Sequence, residues 1–98
     1  MGKIEIKVFV ASLVGANREI VENLRDEANR SNLDVAIEVI NVLEMPEKAL
    51  ALDVFATPAI VREVPTPILQ LIGKLASARE VLTIVETSNG EAPRTIVV

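Results

Sequence analysis

Cysteine, histidine, tryptophan and tyrosine are all absent from this chain. Without cysteine there is no thiolate nucleophile, no redox pair and no disulfide. Without histidine the ordinary general base near neutral pH is missing, and with both gone so are the commonest metal ligands. Glycine is sparse too: the four glycines stand apart at positions 2, 15, 73 and 90, so no phosphate-cradling loop of the Walker or dinucleotide type is formed. Positive charge is in deficit, with 10 basic against 14 acidic residues and a net charge of −4. Such a balance leaves no footprint for nucleic acid or an anionic membrane. No apolar run approaches the ~20 residues that span a bilayer, and Met1 to Glu5 lacks the apolar core of a secretory signal. A cytoplasmic protein is expected, and the lack of cysteine agrees with a reducing compartment.

Half the residues are apolar, yet only two are aromatic. The core must therefore be built from Val, Ile, Leu and Ala, a composition suited to a parallel sheet covered by helices. A length of 98 residues fits one domain, one that buries roughly 60–70 % of its unfolded surface. We expect that domain over residues 1–88 and a tail over 89–98, with no internal repeat.

Ile4, Ile6, Val8 and Val10 alternate with Lys3, Glu5, Lys7 and Phe9, the period of a strand. Asn17 then suits a helix N-cap, ahead of an apolar face of Ile20, Val21, Leu24 and Ala28. Arg18/Glu22 and Asp26/Arg30 fall at i,i+4 on the other face. Glu19, Glu22, Asp26 and Glu27 read as its solvated side, and the helix stops near Ser31-Asn32. The β-branched run within Asp34–Val42 predicts a second strand, parallel to the first through the helical crossover. Pro46 suits the first turn of a short helix through Leu52. Ser77 and Glu80 form a capping box for a last helix with Ala78, Val81, Leu82 and Val85 inward, closed by Asn89-Gly90.

The stretch Phe55-Ala56-Thr57-Pro58-Ala59-Ile60-Val61 carries most information. A Thr-Pro pair opening an apolar run marks the passage from loop to strand in thioredoxin-like domains, where the bond is expected to be cis. The turn that would hold the redox cysteines reads Ala11-Ser12-Leu13-Val14-Gly15-Ala16-Asn17. Its one hydroxyl, Ser12, has no base to activate it. The segment from Pro67 to Leu75 fits two templates. With period two, Pro67–Ile72 is a strand antiparallel to Ala59–Val64 and stopped by Gly73. With period 3.6, Ile68, Leu71, Ile72 and Leu75 share a helix face behind a Thr66 cap. For Thr95–Val98, a strand added to a sheet edge or a neighbouring subunit and a disordered tail both stay open.

Three blocks at consistent spacing resemble the KaiB family, thioredoxin-like proteins of bacterial circadian clocks. They are Ile6-Lys7-Val8-Phe9-Val10-Ala11, then Val39-Ile40-Asn41-Val42-Leu43 followed by Pro46, and Ala56-Thr57-Pro58 through Val64-Pro65-Thr66-Pro67 to Leu71-Ile72-Gly73. The likeness runs from about Ile4 to Leu82. It implies an α/β, thioredoxin-like βαβαββα sandwich with a parallel crossover between the first two strands. It also implies an alternative ground-state packing of the C-terminal half, with Pro65, Pro67, Gly73 and Lys74 in the region that switches. By the same resemblance the protein has no catalytic activity and no cofactor, binds a KaiC-like hexameric ATPase of RecA type, and forms homo-oligomers such as dimers or tetramers. The implied partner surface comprises Glu19, Glu38, Asp53, Thr57 and Pro58. Where family members carry basic residues this chain has Glu19, Glu38 and Asp53, reversals that replace attraction by repulsion toward an acidic partner patch. Leu69-Gln70 stands in place of an arginine pair and Lys74 in place of an acidic residue, so a chain resting in the thioredoxin-like form is expected. A sensor-type KaiB domain acting on a histidine kinase in trans is the alternative, and a thioredoxin-like enzyme of glutathione-transferase type using Ser12 is the alternative from another class.

Overall fold

The computed structural model describes residues 2–88 and 95–98. In chain order the elements are β1 (Ile4–Val10), α1 (Ala16–Arg30), β2 (Val35–Asn41), α2 (Pro46–Ala51), β3 (Ala59–Val64), β4 (Leu69–Ile72), α3 (Ala78–Thr87) and β5 (Thr95–Val97). They form one five-stranded sheet in the order β2-β1-β3-β4-β5. β1 runs parallel to β2 and antiparallel to β3, which is antiparallel to β4. The expected βαβαββα order is present, with β5 added parallel to β4.

The alternation in β1 builds both layers. Ile4, Ile6, Val8 and Val10 point to one face, where Leu24 of α1 and Val81 and Val85 of α3 cover them. Phe9 points to the other and packs with Ile40, Ala59, Val61 and Ala49 of α2. Where β1 is covered on both faces its residues are apolar without alternation, and Val8, Phe9 and Val10 are fully buried in succession.

Local chemistry differs from expectation at several points. Gly15, with φ of 57°, occupies the N-cap of α1 and makes no side-chain cap. Asn17 lies inside the helix, and its Nδ2 donates to the Ser12 carbonyl at 3.0 Å, fastening the β1–α1 loop instead. Arg18 meets Glu22 at 3.3 Å, whereas Arg30 turns from Asp26 to Glu27 at 2.8 Å. Glu27 is not part of a solvated face: it is 7 % exposed, and it also accepts from Ser31 Oγ at 3.1 Å and lies 3.8 Å from Arg79 of α3. A helix packed on its side turned a surface position into a junction. Ser77 Oγ accepts from the Glu80 amide at 3.2 Å, the hydroxyl half of the capping box, while Asn89-Gly90 lie outside the described residues.

Within the ambiguous Pro67–Leu75 segment, Leu69–Ile72 is a strand and no residue is helical. Leu69 and Leu71 are buried on the α1/α3 face, while Ile72 packs on the α2 face. Period two prevails because β3 supplies a partner with apolar neighbours on both faces, a tertiary context that a short apolar run does not encode. Thr95–Val97 takes the edge-strand alternative and pairs on its own sheet, so residues from the expected tail are part of the fold.

Arg62 is the exception in this apolar interior. It follows Ile60 by two, so its side chain enters the α1/α3 layer, and it is 0 % exposed. Nη1 donates to the carbonyls of Val85 at 2.8 Å and Ser88 at 2.7 Å, and Nη2 to that of Pro67 at 2.9 Å. Among the described residues, Nε has no hydrogen-bond partner. Burial lowers the guanidinium pKa because the charged form loses water. The end of α3 offsets this cost, since its terminal carbonyls need donors and carry the negative pole of the helix. Replacing Arg62 by Met keeps the stem but orphans three buried or half-buried acceptors. Arg62→Met is expected to lose about 2–4 kcal/mol in urea unfolding, with partial recovery in Arg62→Lys.

Candidate partner-binding surface

The parallel pairing of β1 and β2 brings two loops to one end of the sheet. Val42 N donates to Val10 O at 2.9 Å, and beyond this bond the chain turns back through Leu43, whose amide is held by Asn41 Oδ1 at 2.9 Å. Because β3 is antiparallel to β1, with Ala59 opposite Phe9, the loop before it arrives at the same end. Residues 11–15, 42–45 and 52–58 thus form one rim.

Apolar side chains stand out on this rim. Leu13 is 49 % exposed, Val14 69 %, Leu43 75 % and Phe55 78 %. The other phenylalanine, Phe9, is completely buried, so half the aromatic content of the chain is spent on solvent. Grouped exposure of this kind, rimmed by polar residues, marks association surfaces. Asp53 closes the turn after α2 at φ of 56°, a left-handed conformation that Asp tolerates. Its amide donates to Leu50 O at 3.1 Å and its carbonyl accepts from Gln70 Nε2 at 3.4 Å. Thr57-Pro58 follows with a cis bond, Thr57 exposed and Pro58 half-buried.

Of the residues expected on a partner surface, the structure gathers Asp53, Thr57 and Pro58 in one loop. Glu19 lies exposed in the first turn of α1, at the same end but over the opposite layer of the sheet, where the helix dipole favours a carboxylate. Glu38 lies in the middle of β2 on the α2 side. It is 3.3 Å from Lys48 and 3.9 Å from Lys7, which also pairs with Glu63. Two lysines therefore attenuate its field, and Glu19 and Asp53 supply the open negative charge near the rim. The residues expected in a switching region divide between the two ends. Pro65 and Pro67, both preceded by cis bonds, are in the β3–β4 turn, whereas Gly73 and Lys74 follow β4 at the rim end.

Among the described residues, Ser12 Oγ has only Asn17 Nδ2 nearby, at 3.5 Å, and an amide N–H does not take a proton from a hydroxyl. Among the described residues, no group of three acidic side chains is placed to hold a metal ion. No described helix is long and apolar enough to cross a membrane. A cavity of about 480 Å³ opens at the far end of the sheet between Ile4, Leu33, Val64, Pro65 and Glu86, away from the rim.

Two features escaped the sequence pattern. The exposed Leu13, Val14 and Phe55 sit beside turn residues, a placement that could have separated them from core positions. Arg62 had a sharper signal, since strand alternation puts it on the same inward face as Ile60.

Residues 7–87 match the family model of the KaiB domain. The circadian clock oscillator protein KaiB of Synechococcus sp. strain RCC307 is 31 % identical over 78 residues, covering 79 % of this chain and 71 % of that one. The N-terminal domain of Synechococcus elongatus SasA superposes with a TM-score of 0.71 at 19 % identity, over 92 % of this chain and 90 % of that domain. Mitochondrial thioredoxin 3 of Saccharomyces cerevisiae does so with a TM-score of 0.67 at 20 % identity, over 88 % and 79 %. With its sheet order, its cis Thr57-Pro58 step and a family match across most of its length, this chain belongs to the KaiB family and has the thioredoxin-like fold.

Proposed function

We propose that this protein is a non-catalytic cytoplasmic interaction module that docks, through the rim, on a KaiC-like ATPase of RecA type. The observation that carries this reading is the exposed apolar set Leu13, Val14, Leu43 and Phe55 around the Thr57-Pro58 loop, on a chain that lacks thiol and imidazole. With no reactive side chain at the rim, its loops act by contact. Phe55 is the natural anchor, since aromatic side chains dominate interface energetics once desolvated. Glu19 and Asp53 favour a partner patch that is basic or neutral, which sets this chain's partner apart from one presenting an acidic patch.

A pulldown from the native host with the full chain as bait is expected to recover a RecA-type ATPase, and its absence from the captured proteins overturns the assignment. In binding measurements with that ATPase, Phe55→Asp is expected to weaken affinity at least about tenfold, the loss of a single anchor. Its thermal unfolding should stay near that of the parent, because the side chain contributes little to the core. An unchanged affinity would remove the rim from the interface.

We further read Pro65, Pro67, Gly73 and Lys74 as bounding the segment that changes packing when the fold switches. Amide NMR of the free protein is expected to give extended shifts over Leu69–Ile72. Helical shifts across Ile68–Leu75 would mean that the alternative packing is the resting state, and doubled, slowly exchanging peaks would mean that both are populated.

A further inference from the structure

Among the described residues β2 is an outer strand of the sheet, bonded on one side only. Its parallel pairing with β1 runs unbroken from Val35 opposite Ile4 to Asn41 opposite Val10. Ile4 N donates to Asp34 O at 2.9 Å and Val42 N to Val10 O at 2.9 Å, so the even-numbered residues of this stretch turn their main-chain groups toward β1. Val35, Ile37, Val39 and Asn41 turn theirs outward. The Asn41 carbonyl already accepts from the amides of Glu44 at 3.1 Å and Met45 at 2.9 Å, whereas among the described residues no hydrogen bond meets those of Val35, Ile37 and Val39. The open set is symmetric about Ile37.

Outer strands are commonly guarded by proline, lysine, a bulge or a covering helix. Val35–Asn41 contains no proline and no basic residue, and its register has no bulge. Nor does α1 cover it: a cleft of about 150 Å³ separates Ala28 and Asn29 from Leu33, Val35 and Ile37. The side chains of Val35, Ile37 and Val39 pack against the α1/α3 core and stay half-buried. The one charge of the strand, Glu38, lies on the other face with Lys48 at 3.3 Å and Lys7 at 3.9 Å.

We infer that the β2 edge is a dimer seam, at which a second copy of this chain pairs antiparallel about a two-fold axis through Ile37. A closed pair of this kind requires a strand that is complementary to itself. With the axis there, Ile37 faces Ile37 of the second copy and Val35 faces Val39 in both directions, giving about six main-chain hydrogen bonds and β-branched contacts continuous with the core. Ala36 then faces Glu38 of the second copy. Moving the axis to Glu38 sets the two carboxylates opposite each other and calls on the occupied Asn41 carbonyl, while moving it to Ala36 sets Asp34 opposite Glu38. Like charges facing across a sheet destabilise it. An axis at Val39 sets Ile37 against Asn41, again at the occupied carbonyl. Of these axes, Ile37 alone matches hydrogen-bonding capacity, apolar pairs and charge together. The seam runs along the side of the sheet and does not rest on docking at the rim.

The test uses the full chain, whose lack of cysteine leaves an empty background for cross-linking. Sedimentation equilibrium from low micromolar to near-millimolar concentration is expected to show a monomer–dimer equilibrium. On dimerisation the amides of Val35, Ile37 and Val39 should exchange at least about tenfold more slowly, because they gain hydrogen-bond partners. Ala36→Cys and Glu38→Cys chains oxidised as a mixture should form a mixed disulfide, since facing residues of a non-hydrogen-bonded pair have Cα atoms about 4.5 Å apart. Neither variant alone should cross-link, because the offset between like positions exceeds the reach of about 7 Å. Ala36→Glu sets a carboxylate opposite Glu38 of the second copy at two symmetric contacts and should weaken dimerisation roughly tenfold, while thermal unfolding of the dilute protein stays near that of the parent. A chain that is monomeric throughout, unchanged exchange at the three amides, or disulfides formed as readily by one variant alone each overturns the proposal. A dimer that Ala36→Glu leaves intact assigns association to another surface and equally overturns it.

Discussion

The guanidinium of Arg62 ties together, by polar contacts, three parts of the chain that also share the α1/α3 core. From one strand it donates to the turn that precedes β4 and to the closing carbonyls of α3. A buried cation is costly unless its donors are satisfied, and here the carbonyls of Val85 and Ser88 at the end of α3 accept from it. The β3–β4 turn is held from inside, β4 is directed along β3 as a strand, and β5 gains an edge to pair with. Apolar burial acts alongside this contact in both halves, since Ile6 and Val8 of β1 pack in one cluster with Leu24 of α1, Leu69 and Leu71 of β4 and Val81 and Val85 of α3. The molecule thus has one continuous apolar core, pinned at the end of α3 by a single buried cation.

Charge placement follows the same economy. Glu38, Lys7, Lys48 and Glu63 neutralise one another across the α2 face, and Glu27 is absorbed between α1 and α3. Exposed pairs of this kind add little stability, but they remove charge from the middle of the sheet. What remains near the rim is apolar surface with acidic residues beside it. Membership of the KaiB family supplies the frame on which these residues stand.

Much of the architecture was legible from residue order because β1 and the two long helices have unambiguous periods. Ile4 to Val10 could only be a strand, and Val21, Leu24 and Ala28 could only be one face of a helix. Legibility failed where tertiary neighbours decide. Leu69–Ile72 reads as helix or strand until β3 lies beside it, and Glu27 reads as solvated until α3 arrives. Asn17 resembles a cap, yet the loop had already placed Gly15 at the left-handed position and given the amide side chain another carbonyl. The partner surface was the least legible part. Sequence position identifies a loop, but only the antiparallel return of β3 brings Phe55 to the end where Leu13 and Leu43 stand. Arg62 lay in plain view as the one cation inside an apolar strand, and its significance required knowing where α3 ends.

The mixed pairing of β1 has a bearing on how the chain is made. Its parallel neighbour β2 follows after one helix, but its antiparallel neighbour β3 begins at Ala59, about 50 residues downstream. At translation speeds of about 5–20 residues per second, the βαβ half emerges from the ribosome some seconds before its other flank exists. During that interval a central strand carrying Ile4, Ile6, Val8, Phe9 and Val10 presents an open hydrogen-bonding edge. The nascent chain therefore passes through a window of vulnerability at its central strand, and the arrival of β3 closes it.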